Sequence, residues 1–285
     1  PMPHRMLLIV AATLAPAVAS ADAPRAVVQA EETIYEYTNA DNGASPLWTF
    51  GSDVMVRRGD DVYFNATELV PGVETLNRVR WALMRRTPRG WTVVRRDQDD
   101  LTRENSPIGI TRDGRIFMSV NPTLDPADPR APSEPRVLVF PPGDPAGDWE
   151  TFIPHWPSEP AFTHHSYRGF GVDPENGECL ITHQEDHYAQ HWAFLTRDRE
   201  WLTGGLVFPD PPEYRREELR YLYPCVAVRD RAAWVFARSG ATEPIDAWYE
   251  YKKQFGGKNV SRRRLALAWT PDVTTQPLSD WVELV

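Results

Sequence analysis

Four short runs of sequence decide the fold: IGITRDG at residues 108–114, IFMSVNP at 116–122, RVLVFPP at 136–142 and WETFI at 149–153. These runs are rich in β-branched and aromatic residues, which favour strands. Gly, Pro, Asp and Asn, which favour turns, lie between the runs or at their ends. The runs therefore predict four consecutive short strands of one antiparallel sheet, and the fourth strand opens on a tryptophan.

The same four-part pattern occurs in three other parts of the chain. It begins at residues 54, 170 and 226, and the fourth run of each copy again opens on a tryptophan, at Trp91, Trp201 or Trp281. Four-stranded units that recur about every 50–60 residues are typical of β-propeller blades. One such sheet cannot bury both of its faces, so the units are expected to stack around a central channel. A β-sandwich of many short strands is the alternative fold.

The predicted fold is thus an all-β β-propeller of four-stranded antiparallel blades. A lead-in at residues 22–47 precedes the propeller of residues 48–285, whose four blades are expected at about residues 48–100, 101–157, 158–212 and 213–285. The fourth blade carries an insertion between its second and third strands, at about residues 240–263. Because sugar-active propellers commonly form rings of six to eight blades, we expect the chain to be truncated at its C-terminus and to form part of a larger ring.

The N-terminus has the pattern of a signal peptide. His4 and Arg5 precede an apolar stretch at residues 6–19, and Ala19-Ser20-Ala21 supplies a cleavage site near Ala21. The apolar stretch is too short to span a bilayer comfortably. We therefore expect a signal peptide at residues 1–21 and a periplasmic or secreted mature protein without a transmembrane segment.

Composition narrows the classes of partner. The 285 residues include 31 Lys and Arg against 40 Asp and Glu, which gives a net charge of −9. An acidic chain of this kind does not have the basic surface of a nucleic-acid-binding protein. An export compartment permits a disulfide between the only two cysteines, Cys179 and Cys225, but two free thiols are the equal alternative.

Propeller topology predicts which face of the disc carries function. The turns that join strands 1–2 and 3–4 of each blade lie on one face, called here the turn face, and hold simple turn sequences at residues 112–114, 173–178 and 229–231. The connections that join strands 2–3 and successive blades lie on the opposite face, called here the site face. On the site face fall most of the histidines and a set of polar and aromatic residues: Asn105, His164, His165, Tyr167, Arg168, His183, His187, Tyr188, Arg238, Trp248, Tyr249 and Lys252.

The histidine-rich part of this set permits three interpretations. The imidazoles, with Glu185 and Asp186, could bind a divalent metal such as Ca²⁺ or Zn²⁺, although no H-E-x-x-H motif is present. A His and a Tyr could move a proton next to a carboxylate whose charge an Arg neutralises. The histidines could instead bond loop carbonyls and have only a structural role.

The insertion of the fourth blade supplies a different chemistry. Trp248, Tyr249 and Tyr251 lie beside Lys252 and Lys253, and the stretch is expected to be a loop. Aromatic side chains stack on sugar rings, and lysines suit an anionic glycan. Packing of these aromatic side chains against a neighbouring blade is the alternative.

The chain resembles the BNR-repeat, sialidase-like propeller proteins of bacteria. The resemblance rests on ENSPIGITRDGRIFMSV at residues 104–120 and HHSYRGFGVDPENGECLITHQEDH at residues 164–187. In that group a polar entry precedes the inner strand, a D-x-G-type turn follows, and the next strand ends near a His. The Asp-box S-x-D-x-G-x-T-W of true sialidases is not present. The wider group includes ulvan-lyase-like propellers, so the resemblance implies a His/Tyr acid–base pair and an Arg near a uronate carboxylate.

The sequence thus predicts a secreted carbohydrate-active propeller that acts on a polysaccharide or oligosaccharide, with a lyase on uronate-containing glycans as the main hypothesis. Its predicted catalytic residues are His165, His187, Tyr188 and Arg238. Its predicted substrate-binding residues are Asn105, His164, Tyr167, Arg168, His183, Trp248, Tyr249 and Lys252. The alternatives are a sialidase-like glycoside hydrolase, with paired carboxylates such as Glu185 or Asp186, and a non-catalytic propeller that binds glycans or proteins.

Overall fold

The computed structural model describes residues 27–28, 31–49, 51–162, 167–185, 189–208, 219–242, 245–256, 260–261, 265–276 and 282–284. The chain divides into two compact units, Pro1–Thr33 and Ile34–Val285. The described residues of the first unit, 27–28 and 31–33, are exposed and form no helix or strand. The predicted signal peptide lies outside the described residues, so it stays a prediction together with the export of the protein.

The second unit is built almost entirely of short strands. Blade one contains β1 (Met55–Arg58), β2 (Asp61–Leu69), β3 (Val79–Thr87) and β4 (Gly90–Arg96). Blade two contains β5 (Ile108–Ile110), β6 (Ile116–Val120), β7 (Arg136–Phe140) and β8 (Glu150–Phe152). Blade three contains β9 (Gly169–Asp173), β10 (Glu178–Glu185), β11 (Ala189–Leu195) and β12 (Trp201–Leu206). Blade four contains β13 (Leu219–Arg229), β14 (Ala232–Thr242), α1 (Asp246–Gln254), β15 (Val260–Ser261), β16 (Leu265–Thr270) and β17 (Val282–Leu284).

Each blade is an antiparallel sheet whose strands pair in chain order. The orders are β1-β2-β3-β4, β5-β6-β7-β8, β9-β10-β11-β12 and β13-β14-β16-β17, and β15 pairs with the end of β14. The four predicted four-stranded repeats are therefore confirmed.

The blades pack face to face, as the alternating directions of the side chains along β6 show. Every residue of β6 is buried. Ile116 and Met118 pack in one cluster with Trp81 and Leu83 of blade one, whereas Phe117 packs in another cluster with blade three. Because successive side chains of a strand point to opposite faces, blade two lies between blades one and three. A two-layer sandwich does not cover both faces of one sheet in this way, so the propeller interpretation is correct.

The first strand of every blade lines one central cavity of about 430 Å³. Residues 51–53 cross its site-face end, where the Ser52 hydroxyl accepts a hydrogen bond from the Phe170 amide at 3.2 Å and the Asp53 carbonyl accepts one from the Ile108 amide at 2.7 Å. This cavity is the channel of the propeller. The expectation that the complete ring contains more than these four blades stays a prediction.

The insertion in blade four differs from the expected loop. Residues Asp246–Gln254 form helix α1, with Asp246 in its first turn and Lys252 and Lys253 in its last. These charges complement the helix dipole. No helix among the described residues has the length and apolar character needed to cross a bilayer. Cys179 and Cys225 are both free thiols.

Candidate functional site

The inner strands begin at the site face, so the residues just before or at those beginnings meet at one end of the channel. Blade one contributes Asp53, blade two residues 104–106, and blade three Tyr167 and Arg168, all of which precede their inner strands. Blade four contributes Tyr223, which lies inside β13 (Leu219–Arg229). Tyr223 lies where the pairing of β13 with β14 shifts register, between Leu222 and Cys225. Such a bulge redirects a side chain out of the regular strand pattern.

Arg168 is the centre of this arrangement. Only 5% of its surface is exposed, and its guanidinium donates hydrogen bonds to the Asn121 side-chain oxygen and the Asn105 carbonyl. Burial lowers the pKa of Arg168 to about 10, and the negative charge of Glu104 acts in the opposite direction. Glu104 is itself buried. Arg168 therefore joins the entries of blades two and three with its charge compensated inside the protein.

A set of amides joins blade one to blade two. The Asn65 side-chain nitrogen donates to the Asn105 side-chain oxygen at 2.9 Å and to the Ser106 carbonyl at 2.6 Å. The Asn105 side-chain nitrogen donates in return to the Asn65 carbonyl at 3.2 Å. Bonds of this kind fix backbone position, so the channel mouth is held rigid by buried polar groups.

Two tyrosines with unusual backbones meet beside Arg168. Tyr167 has φ 38° and Tyr223 has φ 56°, which is the left-handed region that bulky residues rarely adopt. Their rings lie 4.8 Å apart, edge to face, and the Arg238 guanidinium carbon lies 4.0 Å from the Tyr223 ring centroid. Burial, followed by the interaction with Tyr223, raises the pKa of Tyr167 above its ordinary value, and Arg103 opposes the shift. Backbone strain of this kind is concentrated at functional sites.

Two histidines lie opposite each other on β10 and β11. His183 and His191 are register partners, and both rings contact Phe162 at centroid distances of 5.6 and 5.8 Å. The Nε2 atom of His191 lies 2.7 Å from Glu185 Oε2. His183 is fully buried, and among the described residues neither of its ring nitrogens has a hydrogen-bond partner. Burial, assisted by the charge of Arg168, lowers the pKa of His183 well below 6.5, so this imidazole is neutral.

Asp53 is the carboxylate at the mouth of the channel. It is exposed and lines the central cavity, and within the described part of the chain its carboxylate forms no ion pair. It therefore differs from Glu104, which is buried near arginines, and from Glu185, which bonds His191. An exposed carboxylate at the end of a cavity is available to a ligand or a water molecule.

The structure brings together five of the predicted site residues: Asn105, Tyr167, Arg168, His183 and Arg238. Trp248, Tyr249 and Lys252 lie on α1 instead of a loop. The remaining four, His164, His165, His187 and Tyr188, lie outside the described residues. The roles assigned to all of these residues stay predictions.

Sequence reasoning missed Asp53. The available signal was its position, since Asp53 precedes the inner strand of blade one as residues 104–106 precede that of blade two. The direct neighbours of Asp53, Ser52 and Val54, are neither histidine nor aromatic residues, so the carboxylate does not belong to the histidine-rich and aromatic set.

No metal centre is apparent in the part of the chain that the structure describes, which contains no group of three or more His, Cys, Asp or Glu side chains able to hold an ion. Burial raises the pKa of the Cys179 thiol to about 12, so this cysteine is a poor metal ligand. The divalent-metal interpretation stays a prediction.

Comparison with known proteins gives only distant structural likenesses. No protein-family model matches the chain, and no curated protein is significantly similar to it. A bifunctional GH43-CE protein from Bacteroides eggerthii is 12% identical over 84% of this chain and 28% of its own, with a TM-score of 0.40. A GH43 endo-arabinanase from Bacillus licheniformis is 12% identical over 82% of this chain and 80% of its own, with a TM-score of 0.42. An exo-beta-1,3-galactanase from Clostridium thermocellum is 14% identical over 90% of this chain and 50% of its own, with a TM-score of 0.46.

These values do not identify a family for the chain. The chain spans just over a quarter of the length of the Bacteroides eggerthii protein. The propeller assignment rests on the sheet topology and the central cavity described above.

Proposed function

We propose that the protein is a carbohydrate-active enzyme that hydrolyses glycosidic bonds at the site-face mouth of the channel. The observation that carries the proposal is the exposed Asp53 carboxylate at the end of the central cavity. It lies at the end of the channel where the rigid polar entries of blades two to four begin. A preorganised mouth with one accessible carboxylate is suited to bind a substrate and activate water.

Hydrolysis of a glycosidic bond ordinarily uses two carboxyl groups. Asp53 is the candidate base or nucleophile because it is exposed and has no ion-pair partner among the described residues. Glu185 is the candidate proton donor because it ends β10 at the site face, where its Oε2 atom lies 2.7 Å from His191 Nε2 and is held in position. Glu104 is assigned a supporting role, as the buried charge that compensates Arg168.

The lyase hypothesis is the weaker alternative on chemical grounds. Tyr167, a predicted substrate-binding residue, is not suited to replace Tyr188 as the residue that removes a proton, because burial raises its pKa further from the working pH. The arginine proposed to neutralise a uronate, Arg238, is stacked on the Tyr223 ring. The other members of the lyase set, His165, His187 and Tyr188, lie outside the described residues.

The test is a screen of the full chain against neutral and uronate-containing polysaccharides. We expect new reducing ends without the ultraviolet absorbance of unsaturated products. Asp53→Asn and Glu185→Gln should each lower kcat by about 100-fold or more. The matched controls are Asp60→Asn and Glu200→Gln, which alter exposed turn-face residues of blades one and three and should keep full activity.

Three results would count against the proposal. Unsaturated products would support the lyase hypothesis. Binding of a glycan without any turnover would support a non-catalytic propeller. Full activity of Asp53→Asn would show that the channel mouth is not the site of chemistry.

A further inference from the structure

Helix α1 carries the most exposed group of aromatic side chains in the described residues. Trp248, Tyr251 and Phe255, the residue that follows the last turn, are 54%, 53% and 71% exposed. Their rings form a row, in which the ring centroids of Trp248 and Tyr251 are 5.7 Å apart and those of Tyr251 and Phe255 are 4.8 Å apart. We call these three residues the aromatic ridge. Contiguous exposed apolar surface of this kind marks an interaction site.

Within the described part of the chain, helix α1 has no buried face. None of its residues is buried, and its N-cap, Ile245, makes no side-chain capping bond. A helix of nine residues is marginal in water when nothing packs against it. The aromatic ridge therefore contributes nothing to a core, and a bound ligand would stabilise the helix.

The topology of blade four places α1 on the site face. Strand β14 starts at the turn face beside Asp230 and Arg231, so its far end, at Thr242, reaches the site face. The chain returns to that same end after the helix, because Ser261 pairs with Ala241 and Val260 with Thr242. Arg238, four residues before Thr242, stacks on Tyr223 at the channel mouth. The aromatic ridge is therefore on the same side of the disc as the candidate active site.

The charges and ring angles of α1 narrow the class of ligand. The acidic residues Asp246 and Glu250 balance Lys252 and Lys253, and the Lys253 ammonium lies 3.8 Å from the Glu250 carboxylate. Since the whole chain has a net charge of −9, an anionic polymer would be repelled at long range. The rings meet at 84° and 50°, so they do not form the flat surface that a crystalline polysaccharide needs.

We propose that the aromatic ridge binds a soluble, neutral polysaccharide chain and holds it on the site face. Trp248 and Phe255 are seven residues apart, about 10 Å along the helix axis, which allows contact with more than one sugar unit. Ring faces that differ in direction suit a twisted chain. The inference rests on the proposed function for its choice of carbohydrate as ligand, and it replaces the anionic glycan expected from the lysines.

The experiment is affinity electrophoresis of the full chain in gels that contain arabinan, galactan, xylan or mixed-linkage glucan, with polygalacturonate as the anionic comparison. The test variant is Trp248→Ala/Tyr251→Ala/Phe255→Ala. Its matched control is Leu124→Ala/Ile153→Ala, which removes exposed apolar side chains elsewhere. Because no residue of α1 is buried, the triple variant should unfold at the same temperature as the wild type.

We expect the wild type and the control to bind at least one neutral polysaccharide, and the triple variant to bind it at least tenfold more weakly. Binding should not change with added salt, and hydrogen exchange of α1 should slow in the complex. Equal binding by the triple variant, preference for polygalacturonate, or no binding to any neutral polymer would overturn the inference. A dimeric wild type and a monomeric triple variant that still binds polysaccharide would assign the ridge to self-association and overturn the inference as well.

The binding experiment and the test of hydrolysis can be told apart. Asp53→Asn should lose turnover and keep polysaccharide binding. Ridge-dependent binding without turnover in the wild type would contradict the hydrolase proposal and leave the binding inference supported.

Discussion

The two faces of the propeller use polar side chains in different ways. On the turn face, Asp113 accepts a hydrogen bond from the Thr111 hydroxyl at 2.5 Å, and Asp272 accepts one from the Thr274 amide at 2.9 Å. On the site face, Arg168 binds groups 47 and 63 residues away in the chain. These two aspartate bonds are local to one turn, whereas the Arg168 bonds need assembled blades. The site therefore depends on the whole fold. The turn face also has bonds between blades, such as the one from the Asp230 amide to Asp173 Oδ2 at 2.7 Å.

Burial increases the energetic difference between the faces. Polar groups that remain in water lose little when a partner is removed, because water replaces it. Buried polar or charged groups pay the full cost of desolvation. We therefore expect substitution of the buried Arg168 on the site face to be costly and substitution of exposed turn-face residues to be mild. Asp173 and Glu178, which are buried at the turn face, should behave like the buried site-face residues.

The largest effect is expected for Arg168→Met. It removes a buried guanidinium that faces Glu104, and it leaves the Asn121 side-chain oxygen and the Asn105 carbonyl without this donor, which should lower the free energy of unfolding by about 3–5 kcal/mol. Its turn-face counterpart is Arg112→Met, since the exposed Arg112 guanidinium lies 3.0 Å from Glu175. That variant should lose less than about 1 kcal/mol. Urea denaturation measures both, and equal losses would remove the proposed difference between the faces.

The second largest effect is expected for alanine substitutions at the glycines on either side of β1. Gly51 and Gly59 both have positive φ, but a Cβ added at Gly51 would overlap the Cys225 sulfur, while Gly59 has open space around it. Gly59→Ala should cost about 1 kcal/mol from backbone strain alone. Gly51→Ala should cost about 2–4 kcal/mol because overpacking is added.

Thermal unfolding checks this pair of glycine variants. Adding Cys225→Ala to Gly51→Ala should recover part of the loss. If stability does not recover, overlap with the Cys225 side chain is not the cause of the loss in Gly51→Ala.

A third effect concerns pH. Because the pKa of buried His183 is far below its unfolded value of 6.5, the unfolded state takes up a proton first as pH falls. The stability contribution of this neutral imidazole is present above pH 6.5 and is lost below it, by up to about 1.4 kcal/mol per pH unit until the folded-state pKa is reached.

Urea denaturation of His183→Gln at several pH values isolates this contribution. The variant should show a shallower loss of stability below pH 6.5 than the wild type. His155→Gln, which alters an exposed histidine, should follow the wild type. An unchanged slope in His183→Gln would contradict the account.

The smallest effect is expected for Asp113→Ala on the turn face. The Thr111 hydroxyl bond is the main cause that lowers the pKa of Asp113 below 3.8. The contribution of Asp113 is therefore present above pH 3.8 and is lost as pH falls through the lowered pKa. Exposure limits it to less than about 1 kcal/mol. The wild type and the variant should differ slightly in Tm near neutral pH and not at all in strong acid; a large difference would show that turn-face polar groups also support the fold.

The propeller could be predicted from the sequence because its repeats are local. Each blade needs four short apolar runs, turn residues between them, and an aromatic side chain at the outer strand. Trp149 shows why the tryptophan recurs, since its ring packs 5.5 Å from that of Trp81 in the neighbouring blade. The face of the disc that carries Asn105, Tyr167 and Arg168 also followed from strand order alone.

The sequence could not predict how deeply the site side chains are buried or which groups they hydrogen-bond. Strand order assigns Arg168 to a face, but it does not show that its guanidinium is buried against Asn105 and Asn121. Helix α1 was expected to be a loop because it lies in an insertion between two strands and none of its residues is buried. The helical spacing of Trp248, Tyr251 and Phe255 was the signal that was overlooked. Asp53 was overlooked because a single carboxylate before a strand has no distinctive motif.

The most direct test of whether the site face binds the substrate is hydrogen–deuterium exchange in the presence of an oligosaccharide that the screen identifies. We expect slower exchange at the site face, in peptides that contain Asp53, residues 104–106, Tyr167, Arg168 and Tyr223. We expect no change at residues 112–114, 173–178 and 229–231. Protection of those turn-face residues, with none at the site face, would contradict this expectation.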